Sequence, residues 1–280
     1  MGVWVITGLT FREAARRKIL LAALLLGLAF LGLYGLGLHL SIAESPLGRA
    51  PGRENVLLRR QIMNVLLSLG LYAVNWLTVM MTVLTSVDTL AGEISSGTIQ
   101  AVVTKPIRRW EVVLGKFIGF AGMLTLYLLL MAGGVVLEVR VLGGYAPPNL
   151  LRCLALMWLE ALLLLSVTLA GGAWMSTLAT GVLAVGLHGL AFLGGWIEEF
   201  GSMAQSRTAV NIGIIASLVM PSEALWRRAA FEIQGPAIGA FGRSPFSIAS
   251  VPSPAMVLYA TAYLALALAL AIRRFGRRDL

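Results

Sequence analysis

The chain of 280 residues is 58% hydrophobic and only 12% charged, with a net charge of +9 and one cysteine. Soluble domains carry about 25% charged residues, so this composition excludes a soluble enzyme, a disordered tail and a disulfide-stapled secreted scaffold. A mean hydropathy of +0.86 points to lipid as the main solvent. A pI near 10.4 would also suit nucleic acid. The cations, however, cluster beside apolar runs, as membrane topology requires, and no nucleic-acid partner is expected. Cys153 sits in an apolar stretch and reads as a buried, inert thiol.

Residues 1–18 open the chain. Thr10-Phe11-Arg12-Glu13 has the spacing of a capping box, in which side chains satisfy the free amides of a helix start. Trp4, Leu9 and Phe11 stand ahead of, or within, a cationic turn holding Arg12, Arg16, Arg17 and Lys18. Two readings fit: a short helix lying in the membrane interface, or a first span that extends into the cytoplasm.

Six stretches then reach the ~20 residues needed to cross a bilayer: 19–40, 62–87, 112–137, 151–172, 174–196 and 254–272. The first is too long for a signal peptide and no small-residue cleavage site follows it. Gly171-Gly172 reads as the turn between the fourth and fifth. Ser253-Pro254 reads as the cap and first residue of the sixth. The run 209–220 is too short to span and reads as re-entrant or interfacial. With six spans, residues 1–18, 88–116 and 273–280 hold 12 Lys and Arg in 55 positions, against 10 in 95 on the other side. This density places both termini in the cytoplasm of a multi-pass protein of the inner or plasma membrane. Arg59 and Arg60 run against that bias.

Enzymatic chemistry finds little support. His39 and His188 are the two histidines, and no His/Cys/Asp/Glu cluster has metal-ligand spacing. Nucleophile-elbow and zincin patterns are absent. Ser166 and His188 make a conceivable intramembrane pair with nothing specific around them. The one Gly-Lys pair, Gly115-Lys116, has Trp110 and Phe117 where a P-loop needs Gly and Ser or Thr. The chain is therefore not expected to bind a nucleotide, a metal or another cofactor.

The informative segment is 87–119, VDTLAGEISSGTIQAVVTKPIRRWEVVLGKFIG. Helix connections in bundles usually take about 2–8 residues, and this polar one has room for a short helix and a turn. Glu93 and Gly97-Thr98 occupy its first part. Lys105-Pro106 breaks the helix, and Lys105, Arg108, Arg109 and Lys116 serve as headgroup anchors or as docking residues.

The pattern of Asp88, Gly92-Glu93, Gly97-Thr98, Lys105-Pro106, Arg109 and Leu114-Gly115-Lys116 resembles the permeases of ABC-2 type transporters. More narrowly it is similar to the NosY kind, which serves nitrous-oxide reductase maturation. The length, the six spans and the cationic entry FREAARRK match that kind too. The resemblance implies an all-α integral membrane protein, one transmembrane domain over 1–280, with a re-entrant element between spans five and six. It implies a coupling helix between spans two and three, docked on a separate cytoplasmic ABC ATPase that binds ATP and Mg²⁺. Asp88, Glu93, Gly97 and Thr98 fall in that docking stretch. A second permease copy or paralogue, forming a dimer that exports substrate, is implied as well. The run 209–220, followed by Pro221-Ser222-Glu223, sits where the re-entrant element belongs.

Inside the spans, a lone acid is costly and so a functional hypothesis by default. Glu160, in span four, either lines the translocation path or is neutral and hydrogen-bonded. Asn64, Asn75 and His188 read as helix–helix hydrogen bonds. Gly115-x-x-x-Gly119, with Gly181, Gly186 and Gly189, fits close packing, either movable between bundles or ordinary within one subunit. The outer segment 197–255, amphipathic from 222 to 233, caps the path or meets an extracytoplasmic partner. Three rivals stand beside the exporter: a permease acting on a periplasmic maturation protein, an assembly subunit without a path, and an intramembrane hydrolase.

Overall fold

Lipid offers backbone amides no partner, so a chain that crosses it satisfies them within helices. The computed structural model follows this rule. It describes residues 2–16, 18–44, 53–95, 108–234 and 250–277, and no strand occurs among them. The described helices are α1 (Gly2–Arg16), α2 (Lys18–Glu44), α3 (Arg53–Ser95), α4 (Arg109–Gly143) and α5 (Leu150–Gly172), then α6 (Thr177–Met203), α7 (Arg207–Val219), α8 (Ser222–Ile233) and α9 (Pro254–Gly276). Six of them, α2 to α6 and α9, are long and apolar enough to cross a membrane.

The span boundaries shift where polar residues mask helix. α3 has 43 residues, about 64 Å at 1.5 Å per residue, and runs eight residues beyond 87. Asp88 and Glu93 therefore lie on its last turns rather than in a separate short helix. At the chain's start, helix covers 2–16 and 18–44, and α1 packs on α4 more than on α2. Thr10 is not its cap. It lies in the middle of α1, buried with Ile6 and Ala14 on one stripe, while Trp4, Val5 and Leu9 are exposed. The apparent capping box is an accident of spacing.

Gly171 and Gly172 are helical too, and the turn falls just after them, with Ser176 accepting from the Ala179 amide to start α6. Their use is close approach: a Cβ on Gly171 would come 2.9 Å from Thr180, and one on Gly172 3.4 Å from the Ala91 nitrogen. Ser253 stands at the start of α9 with Pro254 first in the helix, as expected, although its side chain makes no cap hydrogen bond.

α5 is the centre of the bundle, with 67% of its apolar window buried against 6% for α2 and 17% for α9. It packs on α3, α4, α6, α8 and α9. α7 and α8 are bent 106° to each other. α7 returns alongside the end of α6, where a Cβ on Gly201 would meet Ala209 and one on Gly194 would meet Ala216. α8 starts beside the middle of α6, at Ser222 near His188. It ends at Ile233, whose carbonyl accepts from Asn64 near the start of α3, and at Glu232, which faces Arg152 on the first turn of α5. The pair thus dips in and returns at one end of the bundle, the shape expected for a re-entrant element. Ten of the twelve residues of α8 are buried, so 222–233 is an interior element and not an amphipathic surface helix.

The glycine pair of α4 packs against α1. A Cβ on Gly115 would come 2.7 Å from Ile6, and one on Gly119 2.9 Å from Thr10. The Thr7 hydroxyl donates to the Gly115 carbonyl at 3.2 Å. This is packing within one subunit. In α6, a Cβ on Gly181 would come 3.5 Å from Val87, whereas Gly186 and Gly189 face open space. We expect Gly115→Ala and Gly119→Ala together to lower the thermal midpoint in detergent, by a cost of about 1–3 kcal/mol for overpacking. Gly122→Ala on the same helix, which meets nothing within 4 Å, should be neutral or stabilising because alanine is the better helix former.

Candidate functional site

Polar residues inside this apolar bundle gather at three levels. The first is the end where α3 finishes and α4, α6 and the last turn of α9 meet. Glu93, two residues before the end of α3, forms an ion pair with Lys116 of α4. The Lys116 side chain is 6% exposed, and its ammonium also donates to the Thr89 carbonyl at 3.4 Å. An ammonium so enclosed is costly unless paired, and a carboxylate near a helix C-terminus is disfavoured by the helix dipole. Each group offsets the other's cost.

Around this pair the other ends are tied in. Asp88 accepts from the Thr177 hydroxyl of α6 at 3.2 Å, and its carboxylate lies over Gly92, where a Cβ would collide with it. The Arg108 amide donates to Glu111 at 3.0 Å, closing the first turn of α4. Arg109 donates to the Gly276 carbonyl at the end of α9, 3.3 Å away. The Arg274 guanidinium lies 5.2 Å over the ring of Trp174. Of the residues singled out in segment 87–119, the structure brings Glu93 and Lys116 together and ties Asp88 to α6 and Arg109 to α9. Gly97, Thr98 and Lys105 lie outside the described residues.

The second level is mid-bundle. Glu160 is fully buried, and its Oε1 accepts from the Asn75 side chain at 3.3 Å. Its Oε2 is buried with no hydrogen-bond partner among the described residues. Glu223 of α8, also buried, lies within electrostatic reach of it. Glu223 fits against α6 because Gly195 has no side chain there; a Cβ would come 2.7 Å from its Cγ. His188 meets the Ser222 hydroxyl at 3.0 Å and packs edge-on against Trp76. The Ser166 hydroxyl donates to the Leu163 carbonyl at 2.7 Å, so the hydrolase pair is not assembled.

The third level fastens α8 at the far end. Arg227 donates to both carboxylate oxygens of Glu198 on α6, at 2.8 and 2.9 Å, and to the Ser250 carbonyl at 2.5 Å. The Ser250 hydroxyl bonds to Glu198 as well. Arg228 and Arg152 converge on Glu232 at 3.0 and 3.7 Å. Asn64 donates to the Ile233 carbonyl and to the Tyr145 hydroxyl. Sequence reasoning missed the Glu198–Arg227 pair. The available signal was an acid in the last turns of one apolar helix and a cation in the next amphipathic one.

The sequence profile of one family, described as ABC-2 family transporter protein, matches residues 4–280. No curated protein matches the chain.

Removing one partner of a buried ion pair costs about 3–5 kcal/mol, whereas replacing both is close to neutral. Lys116→Met should therefore lower the thermal midpoint more than the double variant Glu93→Gln/Lys116→Met does. Additive single effects in that double-mutant cycle would show that the two side chains are not coupled.

Proposed function

The chain belongs to the ABC-2 transporter family, and from that premise we propose that it is the permease subunit of an ATP-driven exporter, coupled to a separate cytoplasmic ABC ATPase. The observation that carries the coupling is the clamp between Glu93 and Lys116. It joins the two helices flanking segment 96–107, so a partner pressing on that segment moves α3 and α4 as one body. Asp88 with Thr177 and Arg109 with Gly276 extend the link to α6 and α9. A ligand shifts a conformational equilibrium only by its differential affinity for the two states. ATP with Mg²⁺, bound on the partner, supplies that difference, and Asp88, Glu93, Gly97 and Thr98 belong to the stretch that receives it.

The remaining assignments follow from this reading. The end bearing α1, Lys116 and the last turn of α9 is cytoplasmic, in keeping with its higher Arg density. Lys105, Arg108 and Arg109 hold the segment at headgroup level. A second copy or a paralogue completes a dimeric transporter in the inner or plasma membrane, and residues of 197–255 outside the buried α8 are the surface for an extracytoplasmic partner. Glu160 lines the path in the state where α8 has moved away from it. The narrower NosY-like placement, in which a periplasmic maturation protein receives the output, rests on the motif and the length.

Glu93→Arg is a poor probe of docking, because it sets two cations side by side at Lys116. Thr98→Arg is cleaner. The tagged chain should bring down a P-loop ATPase from its host, and Thr98→Arg should abolish stimulation of that ATPase without moving the thermal midpoint of the permease. Full stimulation in the variant would remove 96–107 as the docking stretch. Glu160→Gln, which retains the acceptor for Asn75, should leave assembly and stability intact, while Glu160→Leu strands the Asn75 amide at a cost of about 1–3 kcal/mol. Equal stability of the two would show that Asn75 does not depend on residue 160.

A further inference from the structure

Beside the clamp, a cavity of about 610 Å³ opens between α1 and the facing turns of α3 and α4. Its α1 wall carries Arg12, Glu13 and Arg16, and the opposite wall carries Glu93 and Lys116. The last two neutralise each other, which leaves two guanidinium groups against one carboxylate among the described lining residues, a surplus of one positive charge. The rest of the lining is Ile6, Leu9, Thr10 and Val112, apolar but for the buried Thr10 side chain. Leu9 is 61% exposed, and Trp4 and Val5 beside it are 73% and 58% exposed. Such residues on an interfacial helix lie among acyl chains.

We propose that this cavity binds the headgroup of an anionic phospholipid, with its phosphodiester at Arg12 and Arg16 and its acyl chains along Ile6, Leu9 and Val112. The chemistry favours that ligand on three counts. Guanidinium groups bind phosphate oxygens through paired, charge-assisted hydrogen bonds. The surplus of one positive charge matches a phosphodiester of one negative charge. The apolar lining continues into the lipid-facing side of α1, so a ligand with tails is held at both ends and a soluble phosphate compound only at one. A lipid seated there fills the space between α1 and the pair formed by Glu93 and Lys116. It is a structural ligand of the subunit and does not depend on the coupling reading.

The test uses the full chain purified in detergent and follows its thermal midpoint with three probes: short-chain phosphatidylglycerol, short-chain phosphatidylcholine and glycerol phosphate. Phosphatidylglycerol should protect at lower concentration than phosphatidylcholine, with a preference of roughly tenfold, since each basic residue near an anionic headgroup contributes on the order of 1 kcal/mol. Arg12→Gln/Arg16→Gln should abolish the preference, and Arg59→Gln/Arg60→Gln at the far end should preserve it. Glu13→Gln, which removes an acid from the cavity, should strengthen the preference and carries the test if the double arginine variant does not fold. Equal protection by the two lipids, or an unchanged preference in Arg12→Gln/Arg16→Gln or Glu13→Gln, would overturn the proposal. Protection by glycerol phosphate as strong as by the lipid would overturn the choice of a lipid in favour of a soluble phosphate compound.

Discussion

Helices in lipid gain nothing by hiding apolar surface from one another, because the acyl chains are as apolar as leucine. Their association rests on close packing and on hydrogen bonds between side chains. Both devices recur throughout this chain. Where two helices touch along their length, a glycine or alanine removes the obstruction: Gly115 and Gly119 for α1 on α4, Gly134 for Leu31 of α2, Gly194 and Gly213 for α6 against α7. Where helices cross, a polar side chain reaches over: Tyr34 of α2 to the Leu66 carbonyl at 2.9 Å, Ser86 of α3 to Thr168 of α5 at 2.7 Å.

That constraint also explains the distribution of the chain's few charges. With 13 acidic residues in 280, placing Glu93, Glu198, Glu223 and Glu232 at helix contacts is a substantial commitment. Three of them face a cation of another helix at ion-pair distance, joining α3 to α4, α6 to α8 and α8 to α5, and Glu232 also pairs with Arg228 within α8. Glu223 instead lies near Glu160, in the interior where no cation approaches within ion-pair distance among the described residues. Charge therefore fastens the ends of the bundle and leaves two carboxyl groups in its middle.

What the sequence disclosed follows from the same physics. The spans were legible because an apolar run of this length has few other uses, and the run 209–220 was legible as too short to cross by itself. The continuation of α3 past 87 was hidden, because Asp88 and Glu93 resemble loop residues until Thr177 and Lys116 are seen to hold them. Gly171 and Gly172 read as a turn because freedom of φ and lack of a Cβ look identical in a sequence, and only the neighbours Thr180 and Ala91 show which is in use. Thr10 shows the converse error: a local cap pattern satisfied by chance, in a residue chosen for its fit against Gly119. The Glu198–Arg227 pair, 29 residues apart, was announced by its residue types alone, an acid ending one apolar helix and a cation in a later helix.

On the proposed function, the long helix α3 is the element that lets one end of the subunit act on the other. It runs unbroken over 43 residues without a proline, so it is displaced as a rod rather than bent. Near its last turn Glu93 grips Lys116, midway Asn75 holds Glu160, and near its first turns Asn64 grips the Ile233 carbonyl that ends α8. A displacement entering at Glu93 therefore arrives, through a single backbone, at the hairpin that covers Glu160. The link at the far end is ionic and directional, with Arg227 donating to both carboxylate oxygens of Glu198. Such contacts are made or lost as whole hydrogen bonds rather than stretched by degrees. Two arrangements of α8, one sealing the interior and one opening it, would then differ by a small number of discrete polar contacts, which is the kind of element that binding energy at a distant site can switch.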